Sequence, residues 1–295
     1  MSDSAQAAPG MRSGGSRIGM WFQFLLVAVI WGSTWLVIKD QISHVPAGWA
    51  ATWRFAVAAI GMVVLALARG ESLRLPPGGM RLTMLMGVFQ FCLNFQFVYR
   101  AELYVTSGIV AVLYALLMVP NAILARIFLK TPLGARFLAG SAVALGGISL
   151  LMLHEYRMAP PSASVPLGIL FALAGLLSAS AANVMQASGA MRRMAMVPML
   201  AWAMIWGVLA DFVLAWIMTG PPVFDLRPVA LLGALYLGLI GSVVTFPLYF
   251  GLIRTMGAGK AAYNGVLVPV VAMALSTAFE GYRWSVLAAS GAALC

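Results

Sequence analysis

Apolar residues run along this chain in blocks of about 20, the length that crosses a hydrocarbon core. Ten blocks can be placed, roughly at 19–38, 47–68, 82–101, 104–129, 133–153, 166–188, 197–218, 229–252, 258–279 and 284–295. The connections are short and carry Gly, Pro or charge, as at Pro76-Pro77-Gly78-Gly79, Pro160-Pro161 and Gly220-Pro221-Pro222. The pattern predicts an all-α membrane protein of ten transmembrane helices. Residues 1–18 are small and polar, carry Arg12 and Arg17, and read as a disordered cytoplasmic tail. The first block is too long for a signal-peptide core and has no convincing cleavage site, so it counts as a span. The tenth stops at Cys295 after about 18 Å of helix. That is short of the roughly 30 Å core, so we expect the natural chain to continue.

Composition agrees with this reading. The chain is 62% hydrophobic and 9% charged, against roughly 25% charged in a soluble domain; its mean hydropathy is +0.96. The net charge of +10 then signals topology rather than nucleic acid. With the N-terminus in the cytoplasm, the cytoplasmic connections collect twelve basic residues: Arg12, Arg17, Arg69, Arg74, Arg81, Arg126, Lys130, Arg136, Arg192, Arg193, Arg254 and Lys260. The outer ones collect five, Lys39, Arg100, Arg157, Arg227 and Arg283. This fits the positive-inside rule. Cys92 and Cys295 lie in apolar blocks, and His44 and His154 stand alone in connections. Neither a disulfide framework, a metal site nor a cofactor is expected.

The chain also repeats itself. Leu103–Gly146 shifted by 149 positions falls on Leu252–Cys295 without a gap. Thr106, Gly108, Tyr114 and Val119-Pro120 meet Thr255, Gly257, Tyr263 and Val268-Pro269, and about a dozen of the 44 positions are identical. Such self-similarity marks internal duplication. Five spans per half is an odd number, so the halves, 19–153 and 166–295, enter the membrane from opposite sides. Inverted repeats of this kind recur in secondary transporters, with the substrate site near the midplane between the halves. A duplicated channel has the same outline.

Several strings resemble the EamA-type branch of the drug/metabolite transporter superfamily. Trp31-Gly32-Ser33-Thr34-Trp35 followed by Lys39 is similar to that family's opening motif, and Pro46 with Trp53-Arg54-Phe55 to its proline-then-arginine pattern. Pro120 and Pro269 match its Pro-centred fourth and ninth spans, and Glu280 its glutamate after span 9; after span 4 this chain has Lys130-Thr131 instead. The resemblance implies ten helices in two inverted halves around a central cavity, with both termini cytoplasmic. It also implies export or exchange of small metabolites. Members handle amino acids, sugar nucleotides, organic acids and amphipathic cations.

Polar atoms within spans must face protein or water, because lipid leaves them unsatisfied. Gln90 and Asn94 lie four apart, hence on one helical face, with Gln96 and Tyr99 nearby. Ser33, Tyr114, Ser178, Asn183, Tyr263 and Asn264 are further candidates for substrate contact. Ser, Thr and Asn can equally bind helix to helix. Trp31 with Trp35 and Trp202 with Trp206 are spaced to stack along one face, a platform for a flat apolar substrate. Trp21, Trp49, Trp216 and Trp284 read as interface anchors. A cavity of amides and aromatics favours neutral, zwitterionic or aromatic molecules over phosphates or dicarboxylates, which want several buried cations. Pro120 and Pro269 are candidate hinges. Arg54 and Asp211, the charges well inside spans, are expected to pair as a gate or to line an outer vestibule.

The expected function is therefore a carrier exporting small neutral or aromatic metabolites, amino acids foremost, across the bacterial inner membrane. Amphipathic cations and lipids are alternative cargoes. An intramembrane enzyme would need a nucleophile with its base, paired acids or a metal cluster, and the spans carry none of these. Span 1 has no acid before Asp40, so proton coupling would rest on Asp211, and uncoupled exchange is an equal expectation. The chain is expected to act as a monomer or weak homodimer in lipid.

Overall fold

The computed structural model describes residues 15–132, 134, 139–143, 146, 147, 149 and 164–279. The tail to residue 14, most of the fifth span, the whole tenth span, His154 and Glu280 lie outside the described residues. Eight long helices are described. They are α1 Gly15–Ile42, α2 Ala47–Ala68, α3 Gly79–Ala101, α4 Ser107–Leu129, α5 Val165–Ala187, α6 Met196–Thr219, α7 Pro228–Met256 and α8 Asn264–Phe279. Seven of them are long and apolar enough to cross a membrane, and no strand occurs among the described residues. Proline at the start of α5 and α7 fixes the first turn where no amide partner is needed. Gly220 and Gly257, at φ 82° and 87°, end α6 and α7 in backbone that only glycine enters without strain.

The helix ends sort into two faces. Where α1 ends, the Gln41 amide donates to Ala230 O at the start of α7 (2.7 Å). Lys39 donates to the Glu102 carbonyl at the end of α3. Where α1 begins, the Asn264 amide that opens α8 donates to Phe24 O. On that same N-terminal face Arg254, near the end of α7, donates to Met191 O and Met194 O, both at 2.9 Å. Helix α5 starts at the opposite, far face, with Gly168 packed against Tyr104 and Val105. The second half therefore enters from the side opposite to the first, and the duplication is an inverted one.

Helix contacts repeat under exchange of the halves. Helix α1 packs on α8 as α5 packs on α4, α3 packs on α5 as α7 packs on α1, and α3 packs on α6 as α7 packs on α2. The pairs α2–α6 and α4–α8 map onto themselves. One shared irregularity has no counterpart in the hydropathy pattern. Helix α3 loosens to π spacing over Gly87–Leu93 and α7 over Tyr236–Val244, stretches whose first residues are 149 positions apart. Each presses glycine on a neighbour. A Cβ on Gly87 would stand 2.3 Å from Ala203 O in α6, and one on Gly238 would stand 2.6 Å from Val57 in α2.

Large apolar side chains line the outside at helical spacing, as Ile60, Val64 and Leu67 do on α2 and Leu170, Leu173 and Leu177 on α5. In water these stripes would be an aggregation hazard; facing acyl chains they are the solvated surface. This is a multi-pass membrane protein. Trp21 and Trp216 stand exposed, as anchors should, whereas Trp49 is wholly buried, stacked on Trp53 at 5.6 Å and edge-on to Phe212. Its helix meets α6 at that end, so the ring packs on protein instead of headgroups.

Candidate functional site

Between the two halves lies a cavity with about 90 Å³ open to the centres of water-sized molecules. A water needs roughly 10–15 Å³ by this measure, so several waters or a small solute fit. All the described long helices except α6 reach it. Helix α1 presents Trp31, Thr34, Trp35 and Ile38 on one face, and α3 presents Gln90, Asn94, Phe95 and Val98. Arg54 comes from α2, Ala111, Tyr114 and Leu117 from α4, and Ala179 and Asn183 from α5. Phe246 and Tyr249 come from α7, and Ala262, Gly265 and Val268 from the approach to α8 and its first turns.

The wall is aromatic with amides set into it. Trp31 meets Tyr249 edge-on at 4.8 Å and Phe246 at 5.5 Å, and Trp35 meets Tyr114 at 5.6 Å. The Tyr114 hydroxyl donates to Asn94 Oδ1 (2.7 Å), and the Asn94 amide donates back to Gln90 O (3.3 Å). Asn183 donates to the Tyr249 hydroxyl at 3.5 Å. Gln90 Oε1, Asn183 Oδ1 and the Trp35 indole nitrogen have no hydrogen-bond partner among the described residues. Buried polar atoms are seldom left so, and these can take a solute or water.

Arg54 adds a charge to the expected cavity of amides and aromatics. Its Nε donates to Ser242 Oγ (3.2 Å) and its Nη2 to Gly241 O (3.3 Å), both in the π stretch of α7. The same Gly241 carbonyl accepts from the Trp31 indole at 3.2 Å. The guanidinium lies 4.5 Å from the Phe95 ring centre and 5.2 Å from that of Phe55, a cation–π arrangement. It does not pair with Asp211, whose Oδ1 takes the Gln96 amide at 2.8 Å. Gln96 in turn accepts from Arg100, one turn further along α3. Asp211 sits on α6, the helix that does not reach the cavity, so the expected pair is replaced by two separate networks.

Trp31, Trp35, Arg54, Gln90, Asn94, Tyr114 and Asn183, named from sequence, line the cavity, and the other substrate-contact candidates lie elsewhere. Ser33 bonds the Tyr236 hydroxyl (2.6 Å), tying α1 to α7. Tyr99 is buried beside Arg54, and Ser178 returns its hydroxyl to Ala174 O. Trp202 and Trp206 do not make a platform: their indoles donate to Leu73 O and Met80 Sδ near the N-terminal face. Tyr263 is 48% exposed, and Asn264 is spent on α1. Pro120 follows a break in α4 between Ala115 and Met118, where Leu116, Leu117 and Val119 bond three residues back. Without an N–H and with its ring against the carbonyl four back, proline enforces that break; Pro269 lies inside α8. Phe95, Phe246 and Gly265 escaped the sequence reading, because an apolar residue facing a cavity has the same letter as one facing lipid.

Comparison with known proteins gives concordant results. The model of the EamA-like transporter family matches residues 18–153 and again 166–295. The protein PagO of Salmonella typhimurium is 26% identical over 265 residues, covering 89% of this chain and 85% of PagO. The uncharacterized transporter YoaV of Bacillus subtilis is 22% identical over 247 residues, 84% of each chain. One crystal structure superposes on 94% of this chain and 93% of its own with a TM-score of 0.68, at 17% sequence identity, a likeness of fold.

Proposed function

Because this chain belongs to the EamA-like transporter family, we propose that it exports or exchanges small aromatic or neutral metabolites, amino acids foremost, across a bacterial inner membrane by alternating access. The observation that carries the reading is the cavity between inverted halves that is walled by aromatic rings and amides from both. A flat apolar group gains from burial against Trp31, Trp35 and Tyr249, while Gln90, Asn94 and Asn183 offer hydrogen bonds that fix its polar end. In this reading the N-terminal face is cytoplasmic. Arg69, Arg74, Arg81, Arg126, Lys130, Arg192, Arg193, Arg254 and Lys260 gather there, against Lys39, Arg100 and Arg227 opposite. The chain works without catalysis, as a monomer or weak homodimer.

Counterflow tests this. Proteoliposomes loaded with unlabelled phenylalanine or leucine should take up the labelled amino acid saturably, and Asn94→Leu should raise the half-saturating concentration by about five- to twentyfold, the worth of one or two neutral hydrogen bonds. Flux without saturation would mean a channel; no flux of any amino acid would reject the substrate class.

A further inference from the structure

Resting on that reading, the surroundings of Arg54 specify the cargo more closely. The side chain is 1% exposed, lines the cavity, and leaves Nη1 without a hydrogen-bond partner within the geometric limits among the described residues. The Tyr99 hydroxyl faces the same guanidinium and makes no other hydrogen bond among the described residues. A guanidinium stays charged in proteins, and a buried charge without an opposite charge is strongly unfavourable. No acid answers it among the described residues. Asp40, Glu71 and Asp225 lie at or beyond helix ends, Glu102 accepts from Ser107 at the end of α3, and Asp211 is held by Gln96. None of the five lines the cavity.

We infer that Arg54 is the receptor for a carboxylate on the transported molecule, and that this carboxylate, not an amino group, is the group the cavity requires. Nη1 makes no hydrogen bond within the geometric limits among the described residues, with the Tyr99 hydroxyl beside the guanidinium, and a carboxylate bound at this edge supplies the missing charge in a site that excludes most water, where charge-assisted hydrogen bonds are strong. The ring of an aromatic acid then lies along Trp31, Trp35 and Tyr114. Among the described residues the unpartnered acceptors that an ammonium meets in the cavity are amide oxygens, at Gln90 and Asn183, and none carries a charge. The accepted class thus extends from zwitterionic amino acids to aromatic monocarboxylates without an amine, and it excludes amines and amphipathic cations, which the buried guanidinium repels.

Calorimetric titration of the purified, lipid-reconstituted protein with phenylalanine, 3-phenylpropionate, phenylalaninamide and phenethylamine tests this directly. The two carboxylates should bind, and the amide and amine should bind about ten- to hundredfold more weakly, the worth of one hydrogen bond to a charged group. Arg54→Gln should abolish that preference, and Arg54→Lys, which keeps the charge but not the fork, should keep part of it. The wild-type comparison stands even if a variant fails to fold. Equal or tighter binding of phenethylamine, an undiminished preference in folded Arg54→Gln, or no binding of either carboxylate would overturn the inference. Saturable counterflow of a solute without an acid group would overturn it while leaving the transporter reading intact.

Discussion

At Asp211 the carboxyl group is held through a chain of side chains rather than by a cation in contact. Arg100 donates to Gln96, and Gln96 donates to Asp211 across the α3–α6 interface; the Cys92 thiol faces the same carboxyl. The amide acts as a spacer that lets a half-buried arginine serve a wholly buried acid. Gln96→Leu should therefore destabilise the protein by about 1.5–3 kcal/mol, the worth of a hydrogen bond to a charged group, read as a lower thermal midpoint in lipid nanodiscs. The cost should shrink when Asp211→Leu is added, since no carboxyl then remains to satisfy. Strict additivity of the two substitutions would dismiss the spacer role. The sequence marked Asp211 and Arg54 as the charged residues deep in spans, and charge alone suggested pairing them. Their separation depends on helix rotation, which a letter string does not record.

The elements were legible in proportion to how strongly the bilayer dictates them. Span 2 at 47–68 coincides with α2, and most others agree to within a few residues, because hydrocarbon thickness sets helix length. Face assignment succeeded where two polar residues sat four apart in a helix that reaches the cavity, as with Gln90 and Asn94. It failed for Trp202 and Trp206, whose spacing is identical but whose helix stays outside. The π stretches were invisible, since nothing in GVFQFCL or YLGLIGSVV departs from ordinary apolar composition. A π turn adds a residue and so rotates everything beyond it by about 100° relative to a regular helix. Deleting Val88 removes that added residue, so α3 should close to regular spacing with Asn94 still facing the cavity and counterflow retained. Lost counterflow in a protein that still inserts would mean that the loosened turn itself, and not only the facing beyond it, is needed. Helix α5 offers a sharper test. A Cβ on Gly175 would stand 2.4 Å from the Tyr114 hydroxyl, so Gly175→Ala should displace that hydroxyl from Asn94 at a cost of about 1–3 kcal/mol. Removing the hydroxyl as well, with Tyr114→Phe, should relieve most of the loss of thermal stability.

Across the whole molecule, the pairing of contacts between halves means that each interface closing one face has a counterpart at the other. Movement that opens one set can close its mirror set without new kinds of packing, which is how inverted repeats exchange access. At the far face α1 meets α7 through Gln41, whose amide a Cβ on Gly233 would approach to 2.8 Å. A disulfide between Gln41→Cys and Gly233→Cys should therefore block counterflow when oxidised and release it on reduction. Undiminished flux through the oxidised form would show that this contact does not have to part.

The fixed guanidinium also has an electrical consequence. If accessibility shifts around Arg54 while the residue stays near its depth in the membrane, the empty carrier bears a positive charge that a bound monoanion cancels. Cargo charge then decides whether the membrane voltage does work. A zwitterion crosses without net charge, but an aromatic acid lacking an amine carries one negative charge out of a negative-inside cell, a gain of about 2.3 kcal/mol per 100 mV. No ion gradient is required for that export. In vesicles clamped with potassium and valinomycin, reversing the voltage should reverse net flux of 3-phenylpropionate and leave phenylalanine exchange unmoved, so that one carrier would behave as a current source for one solute and as a silent exchanger for the other.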